Sequence, residues 1–300
     1  MTCFRVYCML SFVTIYSIPP STFAQKDSLR TKIEQIVESA RAKVGVTVIG
    51  LENSDTLTFN GNGNFPMQSV YKFPLALTVL NQVDKHIFSL DQKIYIKKDD
   101  LLPNTWSPLR EKYPHGNISI TLEELLTFTV SESDNNGCDI LFRLIGGPKT
   151  VDRYIHSLGI TNISIAATEE EMHKDWEVQY RNWSSPAAMG QLLSMFYHNE
   201  ILSRTSKEYL WQTMVKTGTG PRRIKRLLPT GTIVAHKTGS SGTNDYGITA
   251  ATNDVGIVTL PNGKHFAIVV FISNSTTGEE KCEDIIAEIA KVVWDTYSVQ

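Results

Sequence analysis

Apolar and polar positions change period twice along the chain. Over residues 27–41, Leu29, Ile33, Ile36 and Val37 recur at helical spacing. Residues 45–50 and 55–59 then read as two strands rich in β-branched side chains, with Glu52-Asn53-Ser54 as the turn between them. From Ser69 the texture becomes helical. The stretch FPLALTVLNQVDK has one broad apolar face. Thr121-Leu122-Glu123-Glu124 has the form of a capping box and predicts a helix through Thr129. Another helix is expected from Asp139, and Pro186, in the first helical position after Ser185, opens one to about Phe196. Strand texture returns in TIVAHKTG and over residues 254–260. Pro261-Asn262-Gly263-Lys264 turns the chain back into FAIVVFIS, whose unbroken apolar run predicts a strand buried on both faces. A last helix is predicted over 279–297, with Ile285, Ile289, Val292 and Val293 on its face.

Strands therefore lie at both ends of the chain and helices between them. The fold class implied is α/β of the α+β type: one mainly antiparallel sheet joining the terminal strands, flanked by the terminal helices, beside a helical lobe. The expected division is an α/β domain from residues 25–68 and 230–300 and a helical domain from residues 69–229. A crevice between the two is the natural place for a site.

Composition adds limits. With 41% hydrophobic and 20% charged residues the chain can build a core, and a net charge of −2 gives no basic footprint for nucleic acid or anionic lipid. Residues 1–24 differ in kind. One Arg precedes a 13-residue apolar run, and Thr22 and Ala24 are small residues at the −3 and −1 positions of a cut after Ala24. That layout predicts an export leader, and the run is short for a membrane anchor, the alternative reading. Removing it leaves Cys138 and Cys282, expected as two free thiols.

Three short motifs carry the chemistry. Ser69-Val70-Tyr71-Lys72 places a hydroxyl and an amine on one face of a helix. The amine can take the serine proton, and the helix dipole favours negative charge at the serine. Alone this spacing is weak, since S-x-x-K arises about once by chance in such a chain. Ser133-Asp134-Asn135 alone reads as a polar loop or helix cap, and Lys237-Thr238-Gly239 as a strand end. All three in this order should arise by chance in under about one chain in a hundred.

Together they resemble the signature of penicillin-binding proteins and class A serine β-lactamases, from about Asp27 to Tyr297. The resemblance implies a β-lactamase/transpeptidase-like fold with a five-stranded sheet and a small-molecule β-lactam as substrate, acting without cofactor or metal. It implies Ser69 as acylated nucleophile, Lys72 as its proton partner and Ser133 as proton shuttle to the lactam nitrogen. Asn135 would bind the substrate side-chain amide, Lys237 and Thr238 would meet the substrate carboxylate, and the N–H groups of Ser69 and Ser240 beyond Gly239 would receive the oxyanion. Asp134 would be structural. A β-lactamase also needs a base for deacylation, and Glu169 in Ala167-Thr168-Glu169-Glu170-Glu171-Met172-His173 matches it, with Glu170 and Glu171 as an acidic surface. Whether Lys72 or Glu169 accepts the proton in acylation stays open.

Departures from the family pattern point to a subgroup. Ala167 stands where the family has Arg, Met172-His173 where it has Leu-Asn, and Asn182 where the Arg would find its Asp. The loop around Glu169 thus lacks its usual ion pair. The chain is similar in this to an extended-spectrum subgroup that includes enzymes called PER, VEB and TLA and relatives in Bacteroidetes, which implies a rearranged loop and room for oxyimino cephalosporins. His173 would help hold the catalytic water or simply pack. No Arg lies between Ser240 and Val255, so the resemblance selects Arg223 for the substrate carboxylate, with Arg222 and Arg226 solvated. Trp106 matches the aromatic residue at the pocket rim, and Ser241 and Thr243 are candidates for the oxyimino group. Expected context is a periplasmic monomer with no membrane or nucleic-acid partner.

Two other readings share the motifs. One is a D-Ala-D-Ala carboxypeptidase or transpeptidase; the other is a β-lactam sensor domain that does not turn over. Both should lack the deacylating Glu. The seven scattered histidines show no zinc-hydrolase spacing.

Overall fold

A computed structural model describes residues 20–299. The leader assigned to residues 1–24 lies largely outside them. Helix α1 (Pro20–Glu38) leads into β1 (Lys43–Gly50) and β2 (Thr56–Phe59), the two strands predicted at this end. At the other end β8 (Val234–Ser240), β9 (Thr249–Thr259) and β10 (His265–Ser275) precede α10 (Glu279–Tyr297). These strands form one five-stranded sheet in the order β2-β1-β10-β9-β8, antiparallel throughout. The N-terminal hairpin thus adds to the C-terminal one through β1 and β10, where Val46 faces Val270.

Both faces of the sheet are covered, which is why its central strands are apolar without alternation. On one face Val46, Val48, Ile268 and Val270 pack against Ile33 of α1 and Ile285, Ile289 and Val293 of α10. On the other, Ala235, Val255, Val269 and Phe271 share a core with the helices of the middle segment. At about 25 cal/mol per Å² of apolar surface removed from water, such faces supply most of the driving force for the fold.

The middle segment contains α2 (Lys72–Asp84), α3 (Pro108–Lys112), α4 (Leu122–Ser131), α5 (Asn135–Ile145), α6 (Pro148–Ser157), α7 (Glu169–Lys174), α8 (Pro186–Tyr197) and α9 (Arg204–Val215). Thr121 and Ser185 cap α4 and α8 by accepting the N–H of Glu124 and Ala188, as their sequence signals predict. Helix α5 corrects one boundary. It starts at Asn135 rather than Asp139, because Asp134 accepts the Gly137 N–H and closes the first turn four residues earlier.

Two short strand pairings position the site. Phe65–Pro66 (β3), Ile163–Ser164 (β6) and Trp183–Ser184 (β7) form a patch in the order β3-β7-β6. Pairing of Ile163 with Ser184 closes the ends of the loop that carries Glu169, and β3 runs directly into the turn that carries Ser69. Lys93–Ile96 (β4) and Ile118–Thr121 (β5) make a separate hairpin. Among the described residues no helix is long and apolar enough to cross a membrane.

Candidate active site

Ser69 lies in a single 3-10 turn, Gln68–Tyr71, that feeds α2. Gln68 holds a positive φ of 48°, a conformation that costs a non-glycine residue about 1–3 kcal/mol. Surrounding bonds over-determine it. The Gln68 amide donates to Gln179 Oε1 at 2.5 Å, and Asn253 of β9 donates to the carbonyls of Pro66 and Met67. Gly239 of β8 passes against the same turn. A Cβ there would stand 2.4 Å from Met67 O, so only glycine permits this approach.

Lys72, the first residue of α2, is fully buried, and the sequence-predicted residues converge on its amine. Nζ lies 2.9 Å from Ser69 Oγ, 2.8 Å from Ser133 O and 2.5 Å from Asn135 Oδ1. Glu169 Oε1 is 2.9 Å away. That contact has ion-pair distance but not hydrogen-bond direction, so this buried oxygen accepts no hydrogen bond within the protein. An ammonium has three N–H bonds and here faces four oxygens.

Ser133 also has positive φ, 59°, and its Oγ accepts from Lys237 Nζ at 2.9 Å. Lys237 is fully buried on β8; desolvation, with the nearby Lys72 charge, pushes its pKa well below the usual lysine value. Asp134 is structural, as expected. Besides capping α5 it accepts Ser107 Oγ and Leu109 N, tying the loop of Trp106 to α5. Trp106 lies at the rim, 56% exposed, its indole N–H on Glu132 O.

Glu169 is the first residue of α7. Thr168 and Glu171 form a capping box, and Glu170 pairs with Lys174, so the three glutamates separate into one inward and two outward. Ala167 and Asn182, which stand where the resemblance expects an Arg–Asp ion pair, are joined by neutral bonds instead. Asn182 Oδ1 accepts Ala166 N and Ala167 N, and its amide donates to Ala167 O.

Asp139, which no motif marks, is the second tie. From α5 its two oxygens accept Glu169 N at 2.8 Å and Glu170 N at 2.9 Å, the orphan donors of the first turn of α7. Burial, then the charge of Glu169, raises its pKa to about 7. Between pH 4 and 7 the unfolded chain gives up this proton while the folded chain keeps it. Stability from this group therefore falls as pH rises, by about 4 kcal/mol over the window. Asp139→Asn should remove that term. Relative to wild type its melting temperature should improve from pH 4.5 to pH 7, while its amide, facing one N–H donor, slows turnover about tenfold. Parallel melting curves against pH would show that Asp139 is ionised throughout.

Two clefts meet at Ser69. A space of about 300 Å³ is lined by Gln68, Ser69, Asn135, Glu169, His173 and Ser241, and a neighbouring one of about 310 Å³ by Ser69, Trp106, Ser133, Thr238 and Ser240. Two expectations need correction. Thr243 lines neither cleft, because its hydroxyl pairs with Thr249 across the hairpin. Arg222 and Arg226 are not merely solvated but pair with Glu280, Glu283 and Asp284 along α10. Arg223 is 3% exposed and all its donors are engaged. Nε meets Glu283, Nη1 the carbonyls of Gly239 and Asn253, and Nη2 Ser240 Oγ and Glu279. Cys138 and Cys282 are buried and free, as expected. Among the described residues no cluster of three or more His, Cys, Asp or Glu is placed to hold a metal ion.

Comparison with known proteins agrees with this geometry. The profile of the β-lactamase enzyme family matches residues 28–297. The chain is 49% identical to β-lactamase VEB-1 of Pseudomonas aeruginosa over 97% of its length and 96% of that protein's. It is 44% identical to extended-spectrum β-lactamase PER-1 of the same organism, over 91% and 88%. The crystal structure of the TLA-1 extended-spectrum β-lactamase superposes with a TM-score of 0.90 at 59% identity, covering 91% of this chain and 99% of that one. With the three motifs lining one cleft and this likeness running nearly end to end, the chain belongs to the β-lactamase enzyme family, among its class A serine enzymes.

Proposed function

We propose that this class A enzyme opens penicillins and cephalosporins, oxyimino cephalosporins included, through an acyl-enzyme on Ser69. The observation that carries the reading is the position of Lys72 Nζ, 2.9 Å from both Ser69 Oγ and Glu169 Oε1. Ser69 Oγ attacks the lactam carbonyl and its proton passes to the Lys72–Glu169 pair. The carbonyl oxygen takes the negative charge against the N–H groups of Ser69 and Ser240. The C–N bond breaks as Ser133, backed by Lys237, gives a proton to the nitrogen and regains one from the Lys72–Glu169 pair, which restores Glu169 as a base. Glu169 then takes a proton from water, which attacks the ester, and that proton returns to Ser69 Oγ as it leaves. His173 lines the same cleft and helps hold that water.

Asn135, fixed by Thr105 at 2.7 Å, receives the substrate side-chain amide, and Thr238 and Ser240 receive the carboxylate. Because Arg223 has no donor left over, its charge reaches that carboxylate through the Ser240 hydroxyl, 2.5 Å away. Trp106 bounds the rim and Ser241 the far wall, where an oxyimino group sits. A loop held by Asn182 and Asp139 instead of the Arg–Asp ion pair supports the broad-spectrum reading, as does the likeness to the extended-spectrum enzymes PER-1 and TLA-1. The enzyme is exported by its leader and works as a periplasmic monomer. Steady-state kinetics on cefotaxime test the spectrum. A kcat/KM within about tenfold of that for benzylpenicillin is expected; turnover no faster than by a narrow-spectrum penicillinase overturns it.

A further inference from the structure

β8 is an edge strand, with β9 as its one sheet neighbour. Its free edge meets residues 217–219 instead: Thr217 Oγ1 donates to His236 O at 2.9 Å, and the hydroxyls of Thr219 and Thr238 lie 2.6 Å apart. The placement of Lys237 on such a strand needs more than ladder bonds. On the opposite face of β8 from the Lys237 side chain lie His236 and Asp254, both fully buried. Asp254 stands opposite Thr238 in the register, and His236 reaches it diagonally, Nδ1 lying 2.9 Å and 3.1 Å from its two oxygens. Gly256, opposite His236, makes room. A Cβ there would stand 2.7 Å from that of His236.

Asp254 Oδ2 also accepts the backbone N–H of Ile224, at 3.2 Å. Ile224 directly follows Arg223, and His236 directly precedes Lys237. One buried carboxylate thus fixes the neighbour of each cation in the carboxylate clamp. It also bridges two segments that no sheet ladder joins. Because a carboxylate only accepts, His236 Nδ1 donates, and the buried Nε2 has no partner among the described residues. An unpaired buried nitrogen is unfavourable, and packing alone would be better served by an apolar side chain.

We infer that Asp254, acting through His236 and Ile224, is a positioning residue for recognition of the substrate carboxylate: it sets the spacing between Lys237 and the Arg223–Ser240 pair. This rests on the reading of those residues as the carboxylate clamp. The test compares benzylpenicillin with its methyl ester, which the clamp cannot grip. Asp254→Asn keeps the size and an acceptor for Ile224 but removes the charge. It should raise KM for the acid about tenfold with kcat nearly unchanged, and leave kcat/KM for the ester where it was. His236→Leu should do the same from the other end of the link, and serves if Asp254→Asn does not fold. His236→Asn, which restores a donor at the Nδ1 position, should regain the preference for the acid. Equal losses on acid and ester would make the pair merely structural, and no loss on either would also overturn the inference. If wild type does not prefer the acid, the clamp reading itself falls, whatever Asp254 does.

Discussion

Glu169→Gln should acylate once and then stall. Gln has the size of Glu, and the start of α7 is held by groups the substitution leaves alone: the Thr168–Glu171 box and the Asp139 carboxylate. The fold should therefore persist while the base is lost, so deacylation should slow about 10²–10⁴-fold. Rapid mixing with nitrocefin should give a burst equal to the enzyme present, and intact-mass spectrometry should find one acyl group on Ser69. The burst rate carries a second result. If Lys72 takes the Ser69 proton directly, the burst should be as fast as wild-type acylation; if the proton passes through Glu169, it should slow as well. Continuous turnover at the wild-type rate would remove Glu169 from the mechanism. A wild type that itself acylates once and stalls would instead reopen the carboxypeptidase and sensor readings, which need no such base.

Legibility from sequence followed the reach of each interaction. The strands were readable from their β-branched and unbroken apolar runs and the terminal helices from their periodic faces; the last helix spans Glu279–Tyr297 as its apolar spacing predicts. The start of α5 was missed because Asn135-Asn136-Gly137 reads as loop, and what makes it helix is one side-chain bond from Asp134. Ser69, Lys72, Ser133 and Lys237 stood out because their three motifs, each weak alone, together resemble one known signature. Asp139 gave no signal. A lone Asp on a helix is ordinary until the fold sets it under the first turn of α7, 30 residues away. Resemblance selected Arg223 for the substrate carboxylate; the structure shows it as the buried one of the three arginines, but its acidic partners on α10 lie 56 and 60 residues downstream, so its saturation was invisible. Asn253 and Asp254 were hidden for the same reason: each looks like an ordinary strand residue until the sheet brings it behind the motifs.

Lys72→Met should fail in acylation and also be less stable. Met approximates the length and volume of the lysine stem, so the cavity cost is small and the lost charge dominates. Without Nζ, Ser69 Oγ loses its 2.9 Å partner, and the carbonyl of Ser133 and Oδ1 of Asn135 lose a shared donor. Acylation should fall about 10²–10⁴-fold, since the amine stands between the nucleophile and Glu169. Breaking a buried ion pair by removing one partner leaves the other charge uncompensated, a loss of about 3–5 kcal/mol. Here the orphaned charge is Glu169, with Asp139 close behind it. Lys72 also helps to hold the Asp139 pKa down, so without it that carboxyl rises further. The deficit in melting temperature should therefore be smallest near pH 5, where Asp139 carries its proton in the folded state, and widen as pH rises toward 8. A deficit independent of pH would mean that the Lys72 charge does not compensate this pair. Acylation at the wild-type rate would leave Ser69 activated by some other group, although no other amine is hydrogen-bonded to its hydroxyl among the described residues.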